Sequence, residues 1–391
     1  MNLNQALQVM LRTHMAALDR GERANAIEMK SGPGIGKSSV VRDNCARLAQ
    51  LINQPVGLVV DMLATKQSPD ILGFGLPTKP NQPGDPMEMV FSRSPWYPKR
   101  NNLQVFLPDG TMVDKNNWDG PIPPVGVLFL DEWGQAEDDV KKAAAELLLH
   151  GEVGDTRLPV GWRVIAASNR MSDRAGVLRS LTFITNRRME MSIDAHLGTW
   201  NTWVNNQVPA LRPHHLTVSF ANRQPDLVFR DSVPPGDSPF CTPRTLVLMD
   251  RDLQALRTPE DIERGKLPMD NVAREVCAGW LGGGESAQYF THIKFSDLLP
   301  DIEDIERDPM KAKLPAARDA QMVAAFMIAH YVKESNAVQI IHYIERLNIE
   351  MSVLAMKTIT SQPDKAAIVH NTREFTNFLL KNKDLLVASH G

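Results

Sequence analysis

The stretch Gly32-Pro33-Gly34-Ile35-Gly36-Lys37-Ser38-Ser39 decides the fold, because of what flanks it. Before it, residues 26–29 read as a short strand. After it, residues 37–52 read as a helix with Val40, Val41, Cys45, Leu48 and Leu51 on its inner side. A glycine-rich loop between strand and helix lets backbone N–H groups converge at a helix N-terminus, where the dipole favours an anion. In such a loop Lys37 reaches the outer phosphates of a nucleotide and the Ser38 hydroxyl is placed for Mg²⁺. The strict pattern opens with glycine six residues before the lysine. Ser31 stands there instead, and serine accepts positive φ poorly. A glycine-rich helix start alone is as often a plain turn, so the strand before it and the helix after it carry the reading.

Working outward, the same alternation recurs. Residues 3–18 form an amphipathic helix and 57–62 a second strand, while 126–130 is a continuous apolar run suited to a strand buried on both faces. Helix 136–150, strand 161–168 and strand 189–193 follow. This pattern predicts a parallel α/β sheet with right-handed crossovers. Residues 74–124 interrupt it with dense proline, glycine and asparagine, and read as an elaborated surface insertion with a hairpin over 104–113 around Asp109-Gly110. Beyond about residue 195 helices dominate, over 243–256, 269–280, 316–334 and 337–358. Residues 213–239 read as a linker with one helix. The predicted division is a nucleotide-binding α/β core over 1–195, and a helical lid with a C-terminal helical region over 196–391. The fold class is therefore α/β: a phosphate-loop αβα sandwich with a parallel sheet, followed by an α-helical lid.

Two further elements assemble the site. Val127-Leu128-Phe129-Leu130-Asp131-Glu132 is an apolar strand ending in two carboxylates, a Walker B pattern in which Asp131 holds Mg²⁺ and Glu132 polarises the attacking water. Val164-Ile165-Ala166-Ala167-Ser168-Asn169 ends a buried strand on Asn169, placed to touch the γ-phosphate or position water. A lone acidic pair or a lone asparagine would be ordinary turn or capping chemistry. Serial order favours the site. Arginines that could stabilise transition-state charge are Arg187, Arg188 and Arg244, with Arg170, Arg174 and Arg179 as competitors.

Composition narrows the classes. The 391 residues are 43% hydrophobic and 23% charged, near the globular average, which excludes wholesale disorder and collagen-like or coiled-coil chains. A net charge of −3 argues against a dedicated nucleic-acid binder. Three scattered cysteines, Cys45, Cys241 and Cys277, make no disulfide framework and fit a reducing, cytoplasmic setting as small buried hydrophobes. No apolar run is long enough for a bilayer, and the N-terminus lacks the pattern of a signal peptide. His214-His215 has no third ligand at useful spacing and reads as solvated surface rather than a metal site. Trp96, Trp118 and Trp133 read as packing of the insertion onto the core rather than as pore-lining groups.

With these residues assembled, the chain resembles AAA+ ATPases, and among them the MoxR-like branch. Residues 158–170 look like that branch's strand into sensor 1, residues 67–73 are similar to its segment after the second strand, and 150–158 resemble its hairpin before sensor 1. Asn186-Arg187 stands where the family writes its arginine finger, and Phe240-Cys241-Thr242-Pro243-Arg244 resembles the sensor-2 motif opening the lid helix. The resemblance implies a homo-oligomeric ring, commonly a hexamer, binding ATP with Mg²⁺ between subunits and hydrolysing it. It also implies a chaperone-like remodeller acting on a partner with a von Willebrand factor A domain, or on another protein client. The competing readings are an AAA+ nucleic-acid motor or restriction-type translocase subunit, which the near-neutral charge disfavours, and a non-hydrolysing structural ring, which Glu132 and Asn169 argue against.

Overall fold

Apolar residues alternate along the two central strands. Val127, Phe129, Ile165 and Ala167 join one buried cluster, while Leu128, Leu130, Val164 and Ala166 join another. Period-two burial on both sides makes a sheet covered on both faces. The computed structural model describes residues 1–78, 89–170, 173 and 182–382. They divide into two compact units, Met1–Ala195 with Asp231–Val233, and His196–Arg230 with Pro234–Gly391.

The first unit runs α1 (Leu3–Asp19), β1 (Ile27–Ser31), α2 (Lys37–Ile52), β2 (Val56–Met62), α3 (Ser68–Leu72), β3 (Gly75–Pro77), β4 (Met89–Phe91), β5 (Leu103–Phe106) and β6 (Met112–Val113). It continues through β7 (Val125–Asp131), α4 (Asp138–Ala143), α5 (Ala145–His150), β8 (Glu152–Val153), β9 (Thr156–Arg157), β10 (Gly161–Asn169), α6 (Thr182–Thr185) and β11 (Met189–Ile193). The main sheet has the order β11-β1-β10-β7-β2-β5-β6. Its first five strands are parallel, and β5 and β6 are added antiparallel. From β1 the chain crosses to β2 through α2, whose Val40, Val41, Cys45 and Leu48 pack with α1 on one face. After β5 and β6 are added beyond β2, the parallel links from β2 to β7, β7 to β10 and β10 to β11 move back across the sheet, and Ile71, Val140, Leu147 and Ile184 from α3 to α6 pack on the other face. Right-handed connections running in opposite directions require this split. The α/β core expected from the sequence is the one observed.

Two glycines make the sheet's close packing possible. A Cβ on Gly57 would lie 2.6 Å from the Trp162 ring, and one on Gly126 would lie 2.5 Å from it. The fully buried indole therefore lies across β2 and β7, and its Nε1 donates to Pro123 O at 2.8 Å.

The insertion is less superficial than its composition suggests. Its hairpin forms about Gly110, at φ +89°, but all four residues of β5 are buried and β5 pairs with β2 inside the main sheet. Trp96 and Trp133 are buried, and Trp118 packs against the same cluster. Helix 136–150 is in fact two, α4 and α5, divided at Ala144, where φ −84° and ψ −4° tighten the chain.

The second unit is helical. Residues 213–239 are not a linker: helix His215–Arg223 buries every residue from His215 to Ala221, because proline and aspartate lie only in its flanks. Expected helix 337–358 is split into Ala337–Ile344 and Ile349–Thr360, since Asn348 caps the second by accepting from Met351 N at 3.0 Å. No helix among the described residues is long and apolar enough to cross a membrane.

Candidate functional site

β1 and β10 are adjacent, yet their outgoing connections run in opposite directions to opposite faces, which opens a crevice beyond their C-terminal ends. The loop Gly32–Gly36 and Asn169 are both there. The register pairs Ser31 with Asn169 directly. Gly34 takes φ +73° and Gly36 φ +106°, a left-handed backbone that residues with a Cβ rarely adopt. Gly36 is the N-cap of α2, with no side chain closing the helix end, so the first amides of Lys37, Ser38 and Ser39 face outward.

Ser31 does not need positive φ. It ends β1 in extended conformation with its side chain fully buried. Its hydroxyl donates to Gly32 O at 2.9 Å and accepts from Lys37 Nζ at 2.9 Å. The departure from glycine is therefore absorbed by a hydrogen bond, not by strain. Lys37 Nζ also donates to Gly32 O at 3.3 Å and to Asn169 Oδ1 at 2.9 Å. Lysine of the loop and asparagine of β10 thus meet across 132 residues of sequence.

Across the crevice, Ser38 Oγ donates to Asp131 Oδ2 at 3.1 Å. The other carboxylate oxygen, Oδ1, accepts from Glu132 N at 3.0 Å. Glu132 itself has φ +54°, one of three described non-glycine residues in the left-handed region. Such a conformation costs on the order of 1–3 kcal/mol and persists where the surroundings enforce it. Here it ends β7 immediately after Asp131.

Hydroxyl and carboxylate oxygens are the donors Mg²⁺ prefers, and Ser38 with Asp131 presents one of each within hydrogen-bond distance. No group of three or more ligating His, Cys, Asp or Glu exists among the described residues. That pair fits a Mg²⁺ completed by phosphate oxygens and water, not an all-protein cage.

The arginines separate by geometry. Arg188 is buried and paired with Glu28. Arg170 donates to Ile193 O at 2.9 Å, to Asp194 and to Asp231 O at 3.2 Å, which ties down the end of β11. Arg187 is half-buried on the turn before β11, its own N–H bonded to Ile184 O at 3.0 Å. Arg244 is exposed on the first turn of helix Pro243–Ala255 in the second unit. Arg174 and Arg179 lie outside the described residues.

His214 and His215 are not solvated surface. Both are buried, their rings 4.2 Å apart, with His330 at 6.1 and 5.4 Å. Periodicity gave no signal of this, because a histidine pair beside a proline-rich stretch looks polar. All three cysteines are free and buried.

No family model matches the chain, and no curated protein matches it. Among solved structures it is similar to a RuvB mutant from Thermotoga maritima, at 10% identity over 82% of this chain and 71% of that one, with a TM-score of 0.31. NtrX from Brucella abortus in complex with ADP is similar at 15% identity, over 98% and 68%, with a TM-score of 0.33. The same protein with ATP stands at 12%, over 96% and 68%, and 0.28. Likenesses so loose carry no argument; strand order, loop and converging side chains do.

Proposed function

We propose that the chain binds and hydrolyses ATP as an AAA+ protein of the MoxR-like kind, forming a homo-oligomeric ring that remodels a partner protein. The observation that carries the nucleotide reading is the double junction at the ends of β1, β7 and β10: Lys37 with Asn169, and Ser38 with Asp131. Four side chains from three widely separated stretches of sequence meet at the N-terminus of α2, the kind of place where phosphate binds without further devices.

Each residue has a part in phosphoryl transfer. Amides of Gly34 to Ser39 cradle the phosphates, and Lys37 exchanges its Asn169 and Ser31 partners for phosphate oxygens. Ser38 and Asp131 would hold Mg²⁺, which when bound would neutralise charge on the phosphates. Glu132 accepts a proton from the attacking water, and Asn169, released from Lys37, orients that water or the γ-phosphate. Arg187 stands at the opposite end of the sheet from its own loop, because β1 and β11 run parallel with Ile27 beside Met189 and Ser31 beside Ile193. Five strand residues rise about 16 Å. An Arg187 that stabilises transition-state charge would therefore serve a neighbouring copy, which supports a closed head-to-tail ring. Arg244 would act as the lid's sensor, and a von Willebrand factor A domain protein is the partner this branch would take.

Nucleotide titration and phosphate release test the reading. Wild type is expected to bind ATP and turn it over, with Lys37→Ala binding none. A Glu132→Gln trap holding ATP is expected to retain the protein partner in a pull-down. Hydrolysis stimulated by DNA with a steep salt dependence would assign the chain to the nucleic-acid motors instead.

A further inference from the structure

A buried carboxylate on β1 joins the two ends of the proposed catalytic apparatus. Glu28 is 1% exposed and Ser168 is 1% exposed. Glu28 Oε1 accepts from Ser168 Oγ at 2.6 Å, and Oε2 accepts from the Arg188 guanidinium. Arg188 also donates from a terminal nitrogen to Ile184 O at 3.1 Å, the same carbonyl that accepts the Arg187 N–H at 3.0 Å. Ser168 immediately precedes Asn169, and Arg188 immediately follows Arg187. One side chain on β1, between β10 and β11, thus holds both the strand that presents Asn169 to Lys37 and the turn that presents Arg187.

Stability alone does not account for this choice of residues. Well-packed apolar side chains of similar volume commonly do as well as a buried ion pair or better, while removing one partner leaves an uncompensated charge. Fixed geometry is what a hydrogen-bonded carboxylate–guanidinium pair adds, since its planar fork permits few orientations. Resting on the ATP-hydrolysing reading above, we propose that Glu28, through Ser168 and Arg188, is a positioning residue that sets Asn169 and Arg187 together, so that a site's own asparagine and the arginine it lends to a neighbour move as one.

The test uses the full chain. Glu28→Leu combined with Arg188→Met removes both charges, and Ser168→Ala removes only the arm to β10. The double variant is expected to melt near wild type, form the same oligomer and bind ATP with unchanged Kd, while kcat falls at least tenfold with KM unchanged. Ser168→Ala is expected to lower kcat several-fold, again without a change in Kd. A double variant that folds and turns over within twofold of wild type makes the pair merely structural and overturns the proposal. If the double variant does not fold, Ser168→Ala decides: wild-type kcat there overturns it. A wild type with no ATPase activity overturns the parent reading and this one with it, whereas an active wild type with equally active variants overturns this one alone.

Discussion

Glu132 holds a left-handed backbone that a glutamate adopts only at a cost, next to the aspartate that meets Ser38. Replacing it with glycine removes that cost along with the carboxylate. Glu132→Gly is expected to raise unfolding stability in a denaturant titration by about 1 kcal/mol while losing hydrolysis. Glu132→Gln keeps the strain and separates the two effects: ATP still binds, and turnover measured by phosphate release falls by about 10²-fold or more if the carboxylate takes the proton. The glycine-rich turn into α2 was readable from Gly32 to Ser39 because glycine spacing is local information. Its lysine's resting partners were not, since Ser31 and Asn169 meet Lys37 only after β1 and β10 have paired.

Among the elements, the pairing of β2, β7 and β10 depends on glycines facing Trp162. A methyl group on Gly126 would sit 2.5 Å from the indole, whose own walls are fully packed. Gly126→Ala is expected to destabilise the first unit by about 1–3 kcal/mol, read from the shift of its denaturant midpoint. Asn348→Ala, which removes the cap of helix Ile349–Thr360, is expected to cost about 1 kcal/mol. Strands were legible because runs such as residues 126–130 have no polar face to misplace. Boundaries inside helical stretches were not. A break at Ala144 has no breaker residue to announce it, and the one before Asn348 depends on a cap that also looks like an ordinary polar position.

At the scale of the whole molecule, buried histidines make stability depend on pH. Burial lowers His330 and His292 of the second unit to about 4, and takes His214 and His215 well below 6.5, with His330 adding to the fall of both. His14, on α1 of the first unit with its Nε2 3.0 Å from Gly161 O of β10, is lowered to about 4 by burial. In each case the unfolded chain takes up the proton at higher pH than the folded one. Their neutral state therefore supports the fold above about 6.5, and that support is lost as pH falls from 6.5 toward 4. Asp250 runs the other way. Burial raises it to about 6, so the fold takes up its proton first, partly offsetting the loss below pH 6. With several histidines against one carboxyl, the melting temperature is expected to drop steeply between pH 6.5 and 4. A flat profile would place these imidazoles in water. The proposed ring has its own test: Arg187→Ala is expected to bind ATP and hydrolyse it poorly, and mixing it with Lys37→Ala is expected to restore activity if neighbouring copies supply what each other lacks. No restoration in any mixture would place the charge-stabilising arginine within one subunit.

By itself the sequence determined the α/β order, the glycine-rich loop between β1 and α2, the acidic strand end at Asp131-Glu132 and the switch to helices after residue 195. All of these are carried by local spacing or by periodicity along one element. Only the tertiary structure decided that Ser31 replaces the loop's first glycine without strain, and that the insertion lends two strands to the sheet. It likewise separated the neighbouring arginines, burying Arg188 against Glu28 while Arg187 remains half-buried on the turn. Those outcomes depend on which side chains meet across strands far apart in the chain, and burial is a property of that meeting, not of the residue.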